Sequence, residues 1–221
     1  MNMRQYAQRI SVAALLILGA TACNLTNDNK PDNDHPVVDS NFKITLSDVP
    51  NYDANDSISD QYLAVVNYLR SLSVTCNDAQ HLSGPADVDL VWSTQLTSAA
   101  REHSEDMAKH DFYAHEGSGT EDDITGWHAS PHKKSTSQER ILYNGFSGMV
   151  TAENIAQTWK KNEAPPTNAW VEKMENWMKS DRGSCSIIMN PAFTDFGMYE
   201  SRAPEDSDHK FKVYWTQTFG G

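Results

Sequence analysis

The chain changes its period towards the C-terminus, and that change limits what it can fold into more than any other feature. Before it, apolar residues recur at helical spacing. Ile58, Tyr62, Val65, Leu69 and Leu72 form one stripe in 57–72, and Trp92, Leu96, Ala99, His103 and Met107 another in 91–110. Trp170, Met174 and Trp177 form a third in 168–179, and 139–144, stopped by Gly145, suits a short helix. After it, 195–202 and 211–219 read as strands joined by an acidic, Pro-containing turn at 203–209. Helices first and paired strands last define an α+β chain. A further short strand is expected at 42–46, where Phe42, Ile44 and Leu46 alternate with Lys43 and Thr45. There is no internal repeat and no coiled-coil heptad.

The N-terminus reads as an address. Arg4 and Arg9 supply a charged region, and Ile10 to Ala20 is an apolar run of signal-peptide length. It falls short of the roughly 20 residues that span a bilayer. It leads into Ala20-Thr21-Ala22-Cys23, which resembles a bacterial lipobox. The resemblance implies cleavage after Ala22 and a lipid on Cys23; simple secretory cleavage, leaving a free thiol, is the alternative. Asn24, in place of the Asp that retains enteric lipoproteins at the inner membrane, points to the outer membrane. The expected organisation is a leader at 1–22, a lipidated disordered tether at 23–41 rich in Asn, Asp and Pro, and one domain at 42–221.

Lys and Arg number 18 against 30 Asp and Glu, a net charge of −12, and the two arginines of the leader leave with it. Such a chain lacks the basic footprint of a nucleic-acid binder. It lacks electrostatic attraction to anionic lipid as well, so membrane contact would rest on the acyl chains of Cys23. A monomer is expected. Of the three cysteines, lipidation of Cys23 leaves Cys76 and Cys185 to pair in an oxidising compartment.

Four short words stand in order: Phe112-Tyr113-Ala114-His115, Ala152-Glu153-Asn154-Ile155-Ala156, Asn190-Pro191 and Tyr214-Trp215-Thr216-Gln217. Together they resemble the CAP superfamily, the cysteine-rich secretory, antigen 5 and pathogenesis-related 1 proteins, and Asn67 and Arg70 resemble that family's opening helix. The resemblance implies a three-layer α-β-α sandwich around a central antiparallel sheet. It also implies a cleft lined by two His and two acids. His115 matches the first His and Glu153 the first Glu. Aligned on Cys185 and Met189-Asn190-Pro191, Ser184 occupies the place of the second His, and Ser180 that of the acid many eukaryotic members carry. Glu139, before Arg140-Ile141, is the nearest replacement acid.

His115 and Glu153 alone fall short of the three protein ligands of a catalytic zinc. A divalent metal such as zinc would need a further ligand, for which the polar 116–138 segment offers His128 and His132. That segment is long enough to be a functional loop. His103, inside an apolar stripe, reads as a core histidine. Ser184 with His115 as base and Glu153 as orienter would make a nucleophilic triad, but no glycine elbow surrounds it. Glu139 and Glu153 are a possible acid/base pair. The expected function is therefore a membrane-anchored, exported domain that binds a lipid-like, small-molecule or envelope ligand without catalysis. The alternative is a protease-like hydrolase, metal-assisted or dependent on His115 and Glu153. A third reading has the domain merely displaying loop 116–138.

Overall fold

The computed structural model describes residues 35–205 and 210–221. The leader, Cys23 and the tether up to residue 34 lie outside the described residues. Among the described residues no helix is long and apolar enough to cross a membrane.

The helices follow the stripes. Helix α1 (Ile58–Ser71) opens where the Ser57 side chain accepts from the Asp60 amide, and it buries Tyr62, Val65, Val66 and Leu69. Helix α2 (Thr94–His110) starts later than its stripe, because Ser93 is the cap and Val91–Trp92 is extended as strand β1. Helices α3 (Ile124–His128) and α4 (Ser137–Tyr143) follow. Then come the long strand β2 (Thr151–Lys161), helices α5 (Ala169–Met178) and α6 (Ser184–Met189), and strands β3 (Asp195–Arg202) and β4 (Lys210–Gly220).

The four strands form one sheet in the order β1-β3-β4-β2. Expectation and structure part here in one detail: β1 runs parallel to β3, so the sheet is mixed, while the other pairs are antiparallel. The strand period sorts side chains to two faces. Val213, Trp215 and Phe219 of β4, with Phe196 and Met198 of β3, join Trp170, Trp177, Met178 and the α1 stripe in the main core. The opposite face carries Tyr214, Thr216 and Thr218 and lies against α2. This second interface is close because it is small and hydroxylic: Ser104 Oγ donates to the Tyr199 carbonyl and Thr218 Oγ1 to that of Leu96. A Cβ on Gly197 would lie 2.3 Å from the Thr97 amide nitrogen, so only glycine lets α2 approach β3 this closely. The result is the three-layer α-β-α arrangement of an α+β domain.

Two boundaries are corrected. The domain begins before residue 42: Thr75 pairs with both Pro36 and Val38 through its backbone, and Val38 is buried. The Asn/Asp/Pro composition of 23–41 hides this apolar pair, Val37-Val38. Residues 42–46 do not form a strand, because among the described residues no strand faces them. The Ile44 amide goes instead to the Glu175 carboxylate at 3.1 Å, and a 3-10 turn follows at Leu46–Asp48.

Cys76 and Cys185 are disulfide-bonded, as expected. The bridge fixes the 74–84 segment to α6, and Asp78 adds to it by accepting from the Ser186 amide and hydroxyl. Helix α6 is preceded by Gly183 at its N-cap, whose φ of 98° belongs to the left-handed region.

Candidate functional site

His115 and Glu153 meet. The His115 Nδ1–H donates to Glu153 Oε1 at 2.8 Å, across 38 residues of sequence. Glu153 comes from β2, on the face towards α2; His115 follows the end of α2 and is fixed by its neighbours. Tyr113 Oη donates to the Ile155 carbonyl, and the Ala114 carbonyl accepts from His103 Nε2 at 2.8 Å.

The second oxygen of Glu153 is also taken. Arg140 Nη2 donates to Oε2 at 2.8 Å, and both side chains are almost wholly buried, at 1% and 2% exposure. Arg140 also donates to the His115 carbonyl and, through Nη1, to the Ser135 carbonyl and hydroxyl. Burial alone would raise the Glu153 pKa. The hydrogen bond from His115 and the charge of Arg140 outweigh it, and Glu153 ends below the usual carboxylate range. The same hydrogen bond to Glu153 raises His115 above an ordinary imidazole.

Loop 116–138 braces this arrangement. Three buried carboxylates fold it down: Glu102 accepts from the Thr125 amide and hydroxyl, Asp106 from Ser118, and Asp123 from the amides of Gly119, Gly126 and Ser135. A Cβ on Gly117 would fall 2.2 Å from the Asp123 carboxylate, so the turn closes only around glycine. The loop then delivers Ser135 to Arg140, and Arg140 to Glu153.

The remaining expected residues divide. Ser184 lines the same cleft as His115, and its carbonyl accepts from Asn154 Nδ2 at 3.3 Å. Glu139 does not join them. It completes a capping box with Thr136 at the start of α4 and pairs with Lys133. The residue that reaches the centre is its neighbour Arg140. His128 and His132 are not brought to the cleft either: His128 Nδ1 donates to the Ile124 carbonyl, and His132 stacks on Trp127 with centroids 4.1 Å apart while its Nδ1 binds the Trp127 carbonyl.

The cleft has a volume of about 580 Å³, and its walls run from Tyr113 and Ile155 to Trp177, Ser180 and Arg182. Trp177 Nε1 shares the Ile155 carbonyl with Tyr113. The donor set does not fit a catalytic zinc. Both Glu153 oxygens are committed, one of them to a guanidinium, and a second cation beside it would be repelled. The described residues hold no group of three or more His, Cys, Asp and Glu that could take a metal ion.

His103 is the functional neighbour that periodicity only half revealed. It is fully buried, 3.9 Å from Glu153 Oε1, and its Nδ1 has no partner. With Nε2–H donating to Ala114, Nδ1 carries the lone pair, which fixes a neutral tautomer. Burial pushes its pKa down to about 4 despite the attraction of Glu153. An unfolded His103 binds its proton near pH 6.5. The native state therefore keeps its full advantage above that pH and loses it as pH falls towards 4, by roughly 3 kcal/mol. His115, shifted the other way, contributes stability below pH 6.5 that is lost as pH rises through its native pKa. Urea titrations of wild type and His103→Gln at pH 7 and pH 4 separate the two: the variant should lose about 3 kcal/mol less on acidification. Parallel losses in the two proteins would show that His103 does not titrate this way.

Residues 63–219 match the CAP family, described as the cysteine-rich secretory protein family. Among solved structures the chain is similar to an extracellular protein containing an SCP domain from Bacillus anthracis, with 19% identity and a TM-score of 0.47. That likeness covers 73% of this chain and 39% of the other, so the chain spans well under half the length of that protein. It is also similar to an outer surface protein from Borrelia burgdorferi, with 19% identity, a TM-score of 0.39, and coverage of 59% of this chain and 76% of the other. No curated protein matches.

Proposed function

The chain belongs to the CAP, or cysteine-rich secretory protein, family, and from that premise we propose that it is an exported, lipid-anchored binding protein that holds a ligand in the cleft beside His115 without turning it over. The observation that carries this reading is the saturation of Glu153. A carboxylate that accepts from His115 and Arg140 while buried and ionised is a structural anion, with no free oxygen for a metal and no proton to donate near neutral pH. Its work is to hold the His115 ring and the 112–115 turn on the cleft wall. Export and the anchor rest on the apolar run 10–20 and on Cys23, and the anchor supports outer-membrane placement through Asn24.

The test is recovery of ligand. The purified chain, incubated with extracted envelope lipids and soluble envelope fragments and re-isolated, should carry a bound molecule of unaltered mass, and His115→Ala should reduce its retention. Steady product release that disappears in His115→Ala would overturn the binding-only reading.

A second reading keeps one specific observation in its favour. The Nδ1–H of His115 is held by a carboxylate while Nε2 makes no hydrogen bond among the described residues, on a ring that lines the cleft. That is how a general base is oriented. A hydrolase using His115, with Ser184 lining the same cleft, would lose turnover in His115→Ala at temperatures where the variant is still folded.

A further inference from the structure

The charge of the cleft runs against the charge of the protein. The chain as a whole carries 30 acidic residues and a net charge of −12, yet among the described residues no Asp or Glu lines the cleft. The charged side chains on its walls are Lys173 and Arg182, with the imidazole of His115 at one end. Glu153, behind that imidazole, is already balanced by Arg140.

The two cations are differently placed, and each lacks a strong partner. Lys173 is only 7% exposed, and its one carboxylate neighbour among the described residues, Glu172 at 3.3 Å, is 63% exposed and screened by solvent. Its Nζ otherwise lies 5.9 Å from the centre of the Trp215 ring. Burying an ammonium with so weak a counter-charge is costly unless something else stabilises it. Arg182 is exposed, and its guanidinium makes no ion pair or hydrogen bond among the described residues. Around them stand uncharged polar groups, Asn176, Ser180 and Ser184, and an apolar wall that includes Ile155 and Trp177. A cleft of about 580 Å³ is of the size that takes a small molecule.

We propose that this cleft binds an oxyanion carried on a small, partly apolar molecule, a phosphate monoester or a carboxylate, with Lys173 and Arg182 as its counter-charges and the Ile155–Trp177 wall against its apolar part. The proposal rests on the binding reading above and names its ligand class. A guanidinium offers a forked pair of donors to such a group and an ammonium a point charge, which together recognise two oxygens of one anion. The anion can be a lipid headgroup or a soluble metabolite, and the chemistry is the same.

Titration calorimetry of the purified chain with hexyl phosphate and with uncharged hexyl glucoside tests the proposal, with intrinsic tryptophan fluorescence as a second readout. Hexyl phosphate should bind one to one and hexyl glucoside should not. Arg182→Gln should weaken binding roughly tenfold or more, the worth of a charge-assisted hydrogen bond. Lys173→Gln should do the same. Because Lys173 is buried, the exposed Arg182 variant keeps the test decisive if the Lys173 variant folds poorly. Two arms locate the source. Arg182-dependent binding of glycerol 1-phosphate identifies a soluble anion, and Arg182-dependent sedimentation with phosphatidylglycerol vesicles, absent with phosphatidylcholine, identifies a headgroup. Equal affinity for the charged and uncharged ligands, no binding of either, or an Arg182→Gln variant that binds like wild type would overturn the proposal. Hydrolysis of hexyl phosphate in the cleft would leave the anion assignment standing and remove the binding-only reading instead.

Discussion

Arg140→Met is expected to lower the stability of the domain by about 3–5 kcal/mol, the cost of stripping one partner from a buried ion pair. The loss arises mainly from what remains. Glu153, 2% exposed, would keep the donation from His115 but lose the guanidinium that makes its charge tolerable. The Ser135 hydroxyl and the His115 carbonyl would lose the guanidinium as a donor at once, and the Ser135 carbonyl would keep only the Gly117 amide. The Glu153 pKa should rise in this variant, because its burial would no longer be opposed by Arg140. Urea denaturation at neutral pH measures the loss. The double variant Arg140→Met/Glu153→Leu should be more stable than Arg140→Met alone, since removing both charges also removes their desolvation penalty. A single variant within 1 kcal/mol of wild type would show that the pair is not the centre of the fold's polar network.

Cys76→Ser/Cys185→Ser is expected to cost about 4–5 kcal/mol in the chain-entropy treatment, because the bridge closes a loop spanning a sequence separation of 109. The same loss should appear when wild type is unfolded under reducing conditions. Local damage should concentrate at α6, which depends on the bridge and on Asp78 for its anchoring. Ser184 begins that helix, so ligand binding should weaken along with stability. Hydrogen exchange would show it as faster opening of α6 than of β4. Unchanged denaturation midpoints in reduced and oxidised protein would mean that the bridge only decorates an already sufficient core.

The layered fold was legible because its helices and last two strands each obey one period. Strands β3 and β4 fall almost where alternation places them. Strand β2 carries a recognisable word but no clean alternation, since Glu153 and Asn154 are both buried polar residues on opposite faces. The site was legible in half. His115 and Glu153 stand in words, so their meeting could be expected, whereas Arg140 looks from sequence like an ordinary solvent-facing helix residue. The family resemblance points to Glu139 as the second acid, although Thr136-Ser137-Gln138-Glu139 spells a capping box that already accounts for it. His103 could be placed in the interior by its stripe, yet nothing in a stripe says that its imidazole will lie beside a carboxylate 50 residues away in sequence. Lys173 and Arg182 carried no signal in the sequence, because which side chains surround a cation is a three-dimensional fact.

The Ile155 carbonyl, shared by Tyr113 and Trp177, has one more consequence. Strand β2 is eleven residues long and stands at the rim of the sheet, where such strands invite a second chain to add itself. Two aromatic side chains from other segments occupy that rim at its midpoint, so no uninterrupted ladder can run past them. The rings that wall the cleft therefore also keep a second copy of the chain from extending the sheet along this edge.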